Sequence, residues 1–391
     1  MPVDSERVAQ LQLRMAADHI DAVVLRLPEN ILLMTGYWTQ LGGMGFVYIP
    51  REGSGTLILP DYEESEASEF WAGDMKGFSM LLGRTPVPEA VSKILRDLAV
   101  RDGAVGGRIG YEGSFEMLSP PAHAGEPNAV GLPTQQLIAS SFESEGLVDI
   151  TTTLEAIRAV KSSHELARIT VANEIVMLGL DRFKEYAQPG RAEADIAAEV
   201  EATIQRRGHG YKGARVVRAY AMVWSGEDTA MGWWAFRSRN RAVAADELVM
   251  IELATVVDGY WTDHTRTVVA GRPTGRQRRA FEAVRAAQEA AISAACSGKT
   301  GSEVDAVARS TCQAAGFEQF PHHTGHGLGF RYHERRPQLV PDSKDELLRG
   351  MVIAVEPGIY EKGLGGFRWE DDCVVEDSGA RRLANTDFGL D

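Results

Sequence analysis

Four acidic side chains and one histidine in the second half of the chain have the types and spacing of a catalytic or ion-binding site. They are Glu252, Asp263, His326, Glu356 and Glu370. The two acidic pairs lie in apolar, strand-like stretches, with their members 11 and 14 positions apart, and the histidine falls between the pairs. Carboxylates that converge repel one another unless a cation, shared protons or a charged substrate lies between them. The pattern therefore predicts a site for a small molecule or an ion.

The strand-like stretches predict which side chains share a face with the acidic groups. Because alternate residues of a strand face opposite ways, Glu252 shares a face with Met250 and Ala254. Glu356 likewise shares a face with Ala354. An unpaired carboxylate is costly to bury in an apolar strand, so two such strands favour a site over salt bridges in the core.

His326 lies between two glycines, in the segment HHTGHGLGFRYHE. Glycine allows close approach of the backbone, which suits a ligand or proton-transfer histidine. Four of the nine histidines, His322, His323, His326 and His333, fall within this segment. The concentration favours a site over a single core histidine.

The elements that must position these residues suggest two domains. A chain of 391 residues is too long for one ordinary core. Short apolar strands alternate with helices over residues 1–154, which predicts a small N-terminal α/β domain. Residues 155–391 show helix, helix and strands with the first acidic pair, then the same order with the second. Two such halves about a pseudo-twofold axis would bring both pairs to one pocket.

Composition excludes several classes of function. The formal net charge of −14 argues against a nucleic-acid surface, which needs clustered Lys and Arg. No apolar run is long enough to span a bilayer, so no membrane partner is expected. Three widely spaced cysteines fit a reducing compartment rather than a disulfide framework, so we expect a cytoplasmic protein.

Four motifs resemble the signatures of the creatinase/prolidase (peptidase M24) family. They are GYWTDHTRT, HHTGHGLGFRYHE, VIAVEPGIY and FRWEDD, and MTGYW at 34–38 fits the same family. The resemblance implies an α/β fold class, with a C-terminal pita-bread (pseudo-twofold α+β) catalytic domain behind the small N-terminal domain. It also implies a homodimer in which the N-terminal domain of one chain closes the pocket of the other.

In metal-dependent members of this family the matching positions hold two divalent ions. The resemblance would place them, as Mn, Zn or Co, at Asp263, His326, Glu356 and Glu370 together with residue 252. This chain has Glu252 where the family has aspartate. The extra methylene moves the carboxylate by about an ångström or more, which strains a two-metal geometry. The sequence thus leaves both a metal site and a metal-free site open.

A second departure concerns the substrate. Peptidase members place a histidine after a Ser-Gly motif, whereas this chain reads WSGEDTAMGWWAF there. Creatinase relies on a histidine in the same region, and both activities are therefore disfavoured at this point. Tyr220, Trp233 and Trp234 offer aromatic faces suited to a compact cation, and Arg218 or Arg368 could bind a carboxylate.

Within the family, these features most resemble the ectoine hydrolases. The main expectation is therefore a hydrolase that opens the cyclic amidine of a small zwitterion, ectoine, to an N-acetyl-2,4-diaminobutyrate. Glu252 would be the nucleophile or general base, and Asp263, Glu356 or Glu370 would hold the amidinium. His326 or His333 would protonate the leaving amine, with His322 near the substrate.

Three alternatives remain open. The first is a metallopeptidase of the Xaa-Pro dipeptidase or aminopeptidase type, with Glu252 as an adapted ligand. The second is another osmolyte-processing enzyme, such as a dimethylsulfoniopropionate lyase. A non-enzymatic scaffold is disfavoured, because all five acidic and histidine positions are retained.

Overall fold

The chain forms two compact units, Met1–Arg158 and Ala159–Asp391. The computed structural model describes residues 6–39, 44–80, 85–114, 130–144, 146–234, 237–318, 320–384 and 389–390. The side chains of Trp233 and Trp234 lie outside this description. The domain boundary predicted near residue 155 falls within the helix Thr151–Ala159.

The first unit is a mixed sheet with helices. Its helices are α1 Glu6–Ala17, α2 Pro28–Thr35, α3 Glu64–Ala67, α4 Val87–Arg101, α5 Leu132–Phe142 and α6 Thr151–Ala159. Its strands are β1 Ala22–Leu25, β2 Phe46–Pro50, β3 Thr56–Pro60, β4 Asp74–Phe78, β5 Arg108–Tyr111 and β6 Gly146–Asp149. The strand order is β4-β3-β2-β1-β5-β6, with parallel and antiparallel neighbours.

A distant carboxylate binds the N-terminus of α2. The buried Glu112 accepts main-chain N–H groups from Arg26 and Leu27 at 3.0 to 3.1 Å, and the side-chain amide of Asn30 at 3.2 Å. The first N–H groups of a helix have no partner within the helix, and Leu27 supplies no side-chain cap. Glu112 therefore performs the capping role from the end of β5.

The second unit contains the predicted acidic hairpins. Its helices are α7 Ser163–Tyr186, α8 Glu193–Gly208, α9 Gly275–Ala294 and α10 Gly301–Ala314. Its strands are β7 Val217–Ser225, β8 Leu248–Val257, β9 Tyr260–Val269, β10 Gly325–Gly327, β11 Glu334–Leu339, β12 Val352–Val355, β13 Gly358–Glu361, β14 Gly365–Arg368, β15 Asp371–Glu376 and β16 Gly379–Arg382.

The predicted order of two helices followed by strands occurs twice, as α7-α8-β7-β8-β9 and α9-α10-β10 onward. The first half has a sheet of order β7-β8-β9, and the second a sheet of order β11-β10-β12-β15-β16. Three of the four long helices begin with a capping box, at Ser162, Thr274 and Thr300. The α/β fold class is confirmed.

Strand register decides which side chains face the interior. In the first sheet Glu252 pairs with Met222 and Thr265, and Asp263 pairs with Ala254. The alternate residues Val249, Ile251 and Leu253 belong to the main hydrophobic core. Both faces of β8 and β9 are buried, so the acidic face lies inside the unit and not in solvent.

The second sheet has a matching polar face. His326 pairs with Ala354, which in turn pairs with Asp372. Glu356 follows β12 directly and Glu370 precedes β15. Because these two strands are antiparallel neighbours, both residues lie at the same end of the pair. Within the ranges described, no helix is long and apolar enough to cross a lipid bilayer.

Replacement of Glu112 by alanine should lower the free energy of unfolding by about 3 kcal/mol, because it leaves buried N–H donors without an acceptor. Urea denaturation of the full chain measures this loss. The matched control is Glu89→Ala, since Glu89 is an exposed acidic residue in the first turn of α4 and should change stability by less than about 0.5 kcal/mol. Equal effects of the two variants would contradict the capping role.

Candidate active site

The five predicted residues converge in the second unit. His326 Nε2 lies 3.5 Å from Asp263 Oδ2 and 3.5 Å from Glu356 Oε1. Glu370 joins them through Thr265 on β9, whose hydroxyl donates to Glu370 Oε2 at 2.6 Å. Each of the five residues is at most 7% exposed. The five residues that the sequence spacing singled out therefore form one buried cluster.

The orientation of His326 directs its Nε2 at the carboxylates. Its Nδ1 lies 2.9 Å from the carbonyl oxygen of Gly327, so the Nδ1–H donates there. Burial opposes protonation of the ring, but the carboxylates of Asp263 and Glu356 outweigh it and raise the pKa of His326. Its Nε2 is buried and, among the described residues, has no hydrogen-bond partner. A Cβ atom on Gly325 would lie 2.0 Å from Ala354 O, and one on Gly327 would lie 2.2 Å from Arg336 O. Only glycine fits on either side of this histidine.

Glu252 is held by a phenol and a guanidinium. The Tyr332 hydroxyl lies 2.6 Å from Glu252 Oε1 and 3.1 Å from Asp263 Oδ1, and it can donate to one of them at a time. Arg368 Nη2 forms an ion pair with Glu252 Oε2. Arg368 Nε also donates to Thr265 Oγ1 at 3.0 Å, which ties the guanidinium to the same strand as Asp263.

The charges of the cluster are divided unequally. Burial opposes ionisation of Asp263, but bonding to His326 and His333 outweighs it and lowers the pKa of Asp263 to about 2. Burial, followed by the charges of Asp263 and Glu356, raises the pKa of Glu370 well above its usual value. Burial also raises the pKa of Glu252, against the opposing charge of Arg368. Repulsion within the cluster is therefore relieved at Glu370, which favours its protonated form unless a cation enters.

Three further imidazoles surround the cluster. His323 Nε2 lies 2.8 Å from Glu356 Oε1, and His333 Nε2 lies 3.5 Å from Asp263 Oδ2. His322 Nε2 lies 2.9 Å from the hydroxyl of Tyr360. Burial lowers the pKa of His322 to about 3 and that of His333 to about 4, the latter with help from the neighbouring His326. His322 and His333 are therefore neutral at pH 7.

A second layer of polar groups fixes the backbone of the acidic strands. The carboxylate of Asp372 accepts the main-chain N–H of Asp263 at 3.3 Å and the amide of Asn173 at 3.1 Å. The oxygen of the Asn173 amide lies 2.9 Å from His264 Nε2, and His264 Nδ1 lies 3.3 Å from the carbonyl of Glu370. Helix α7 thereby links the strands that carry Asp263 and Glu370.

The other predicted substrate residues have different surroundings. Arg368 is engaged with Glu252, and His322 with Tyr360. Tyr220 stacks on Trp261 with ring centroids 5.9 Å apart. Arg218 is exposed and donates to its own neighbour's carbonyl at Val217. The contribution predicted for Trp233 and Trp234 concerns side chains outside the described residues.

Sequence reasoning missed several residues that contact the cluster. They are Tyr332, Tyr360, Thr265, Asp372, Asn173 and His264. Tyr332 adjoins His333, and Asp372 follows Glu370 by two positions, so proximity to predicted residues was the available signal. Asn173, 199 positions before Asp372, gave no such signal.

The donor set can be tested against the divalent ion that the family implies. Ligand atoms about 2.1 Å from a tetrahedral ion lie about 3.4 Å apart. The 3.5 Å separations of His326 Nε2 from Asp263 Oδ2 and Glu356 Oε1 match this spacing. Two groups that share His326 have this kind of geometry, one with Asp263 and His333 and one with His323 and Glu356. The buried Oε1 of Glu370, which has no hydrogen-bond partner among the described residues, is a further donor. These residues fit an ion.

Comparison with known proteins identifies both units. Residues 167–377 match the pattern of Metallopeptidase family M24, and residues 7–160 match the Creatinase/Prolidase N-terminal domain. A Xaa-Pro dipeptidase of Pyrococcus furiosus is 28% identical over 386 residues, which cover 98% of this chain and 99% of that protein.

Solved structures of prolidases resemble this chain over almost its whole length. The prolidase from Pyrococcus horikoshii OT3 has a TM-score of 0.80 at 26% identity, covering 99% of this chain and 100% of that chain. The recombinant prolidase from Thermococcus sibiricus has a TM-score of 0.77 at 27% identity, covering 100% and 99%. The predicted two-domain architecture, with its C-terminal pita-bread domain, is confirmed by these likenesses.

These findings overturn the expectation of ectoine hydrolysis. The relatives over the full length of the chain are named as a Xaa-Pro dipeptidase and as prolidases, which supports the alternative. The structure supplies a physical reason. Arg368, a candidate for the ligand carboxylate, is paired with Glu252, and the other candidate, Arg218, is exposed. Glu252, the candidate nucleophile, has a partner on each oxygen.

The hydrogen bond from the main-chain N–H of Asp263 to Asp372 predicts an effect on ion affinity. Asp372→Ala removes the acceptor of the Asp263 N–H and should weaken Mn²⁺ binding by about 10- to 100-fold. Titration calorimetry of the chelator-treated protein measures the affinity. Glu193→Ala is the matched control, because Glu193 is a buried carboxylate that accepts from Ser225 and Arg239. The idea fails if both variants bind Mn²⁺ equally well.

Proposed function

This chain belongs to Metallopeptidase family M24, and from that premise we propose that it is a metal-dependent peptidase that cleaves Xaa-Pro peptides. The observation that carries the proposal is the buried cluster of four carboxylates around the unpartnered Nε2 of His326. The names of the full-length relatives support the same substrate class. A short Xaa-Pro peptide is also a small zwitterion, the kind of substrate expected from the sequence.

Asp263, His326, Glu356 and Glu370 would hold the ion. A divalent ion held there would supply Lewis-acid polarisation of the scissile carbonyl and would make a water molecule nucleophilic. The residues keep the donor atoms in place: Thr265 orients Glu370, Gly327 fixes the His326 ring and Asp372 fixes the backbone at Asp263.

A neutral imidazole can serve the reacting amide. His333 can donate an N–H or accept a proton, because burial keeps its pKa below neutrality. His322 is less suited, since the carbonyl of His323 and the hydroxyl of Tyr360 already engage its two ring nitrogens. His333 would therefore supply the contact to the scissile amide for which the segment after Ser225 and Gly226 offers no histidine.

An apolar surface beside Glu252 suits a proline ring. Met222, Trp224 and Met250 form one buried hydrophobic cluster with Tyr360 packed against it. Met222 is the strand partner of Glu252, so this surface shares its face. The ring of proline is aliphatic and its amide nitrogen carries no hydrogen, so the ring can be buried against such a surface without loss of a hydrogen bond.

The expectations of a homodimer, with one N-terminal domain closing the partner's pocket, and of a cytoplasmic location without nucleic-acid partners stay predictions. Light scattering on the purified chain would measure the mass of the assembly. We propose the dimer as the functional form.

The protein loaded with Mn²⁺ or Co²⁺ should hydrolyse Met-Pro at least about 10-fold faster than Met-Ala, because the apolar surface favours the proline ring. Release of the free amino acid, measured by chromatography, gives kcat/KM for each peptide. Absence of Xaa-Pro turnover with Mn²⁺, Co²⁺ and Zn²⁺ in a folded protein would refute the proposal.

Removal of the ion or of a ligand should abolish this activity. Dialysis against a chelator should stop Met-Pro hydrolysis, and added Mn²⁺ should restore it. Asp263→Asn should lower kcat/KM by about 1,000-fold or more, because it removes a charged ligand. Lys212→Gln is the control, since Lys212 is exposed and pairs with Glu174 on the surface. Unchanged activity of Asp263→Asn would remove Asp263 from its role.

A further inference from the structure

The two sides of the cluster differ in their chemistry. On one side lie the imidazoles of His323, His326 and His333, and on the other lies Glu252 with Arg368. Tyr332 lies between them, because its ring stacks on His333 and its hydroxyl reaches Glu252. Both oxygens of Glu252 are bound, one by the Tyr332 hydroxyl at 2.6 Å and the other by the Arg368 guanidinium. An ion at Glu252 would have to displace one of these groups.

Arg368 is not easily displaced. It is 2% exposed, and its Nε donates to Thr265 Oγ1 at 3.0 Å while Nη1 lies 3.4 Å from the Tyr360 hydroxyl. A guanidinium keeps its proton in proteins. Because loss of one partner of a buried ion pair leaves an uncompensated charge, the pair with Glu252 is strongly preferred to its separation.

The length of the Glu252 side chain accounts for the pairing. Its Cα is held by strand register between Met222 on β7 and Thr265 on β9. A glutamate reaches about 1.5 Å further than an aspartate, the length of one carbon–carbon bond. The carboxylate is thereby carried to Arg368 and Tyr332, where an aspartate on the same backbone would stop short.

The imidazole side, by contrast, has a buried nitrogen that is free to bind an ion. Among the described residues, His326 Nε2 has no hydrogen-bond partner, and it lies 3.5 Å from oxygens of Asp263 and Glu356. His323 Nε2 is 2.8 Å from the same Glu356 oxygen, and His333 Nε2 is 3.5 Å from the same Asp263 oxygen. Two groups of possible ligands share His326, and its Nε2 has one lone pair, so an ion bound through that nitrogen occupies one place at a time. Imidazole ligands favour Zn²⁺ or Co²⁺ over Mg²⁺ or Ca²⁺.

We propose that this site binds one divalent ion per chain, on the imidazole side, and that the Arg368 guanidinium takes the place of a second ion beside Glu252. The inference rests on the proposed function for the presence of an ion. It makes Arg368 a positioning residue for Glu252.

The test counts ions on the full-length protein. The chelator-treated protein is brought to equilibrium by dialysis against an excess of Co²⁺, and bound cobalt is measured by mass spectrometry against protein concentration. One Co²⁺ per chain is expected. Two per chain, or none, would overturn the inference.

Two substitutions of equal size separate the sides of the cluster. Glu252→Gln should keep one Co²⁺ per chain, with an affinity within about threefold of the parent, because Glu252 is not a ligand. Asp263→Asn should weaken Co²⁺ binding by about 10-fold or more, because it removes a charged ligand. Loss of cobalt from Glu252→Gln as severe as from Asp263→Asn would contradict the assignment. If Glu252→Gln does not fold, the count on the parent protein decides alone.

The same preparations distinguish this inference from the proposed function. One bound Co²⁺ without hydrolysis of Met-Pro would refute the peptidase and leave the one-ion site intact. Two bound Co²⁺ with hydrolysis of Met-Pro would leave the peptidase intact and refute the one-ion site.

Discussion

The central constraint of this structure is the burial of four carboxylates in one space. Carboxylates close together in a medium of low polarity cannot all ionise without compensating charge. Glu252 and Glu370 respond with a raised pKa, while Asp263 keeps its charge through the imidazoles beside it. The surrounding elements can be understood as the means of holding this arrangement together.

The fold meets that constraint through two sheets and a helix. The first sheet presents Glu252 and Asp263 on a face opposite the main core, and the second presents His326 between two other strands. Asn173 on α7 reaches Asp372, whose carboxylate receives the backbone N–H of Asp263. Rigid strands therefore carry the polar groups, and hydrogen bonds from a neighbouring helix set their position, as a site that tolerates little displacement requires.

Much of the architecture could be predicted because it follows from local patterns. The apolar strands β1, β2 and β3 and the long helix α7 correspond to short apolar runs and helical periodicity in the sequence. Strand β4 carries no such signal, because its residues DMKGF are mostly exposed or half-buried and lack an apolar alternation. Helix α2 carries none for the opposite reason, since all eight of its residues are buried and no polar face marks it as amphipathic.

The candidate site likewise contains residues that the sequence could predict and partners that it could not. The spacing and residue types of the five cluster residues were sufficient to predict that they meet. The partners were not visible, because Tyr332 is 80 positions and Arg368 116 positions from Glu252, and no local pattern connects them. Without the ion pair, the longer side chain at 252 was interpreted as chemistry on a cyclic amidine, and that interpretation was wrong.

The glycines beside His326 limit how this enzyme could be redesigned. Since the nearest carbonyl oxygens would overlap any added side-chain carbon at Gly325 or Gly327, random libraries at these positions would yield mainly misfolded protein. Directed evolution of a new specificity would have to act elsewhere. Tyr360 and Met222 border the cluster from other strands, so substitutions there would change its surroundings without altering the backbone at the histidine.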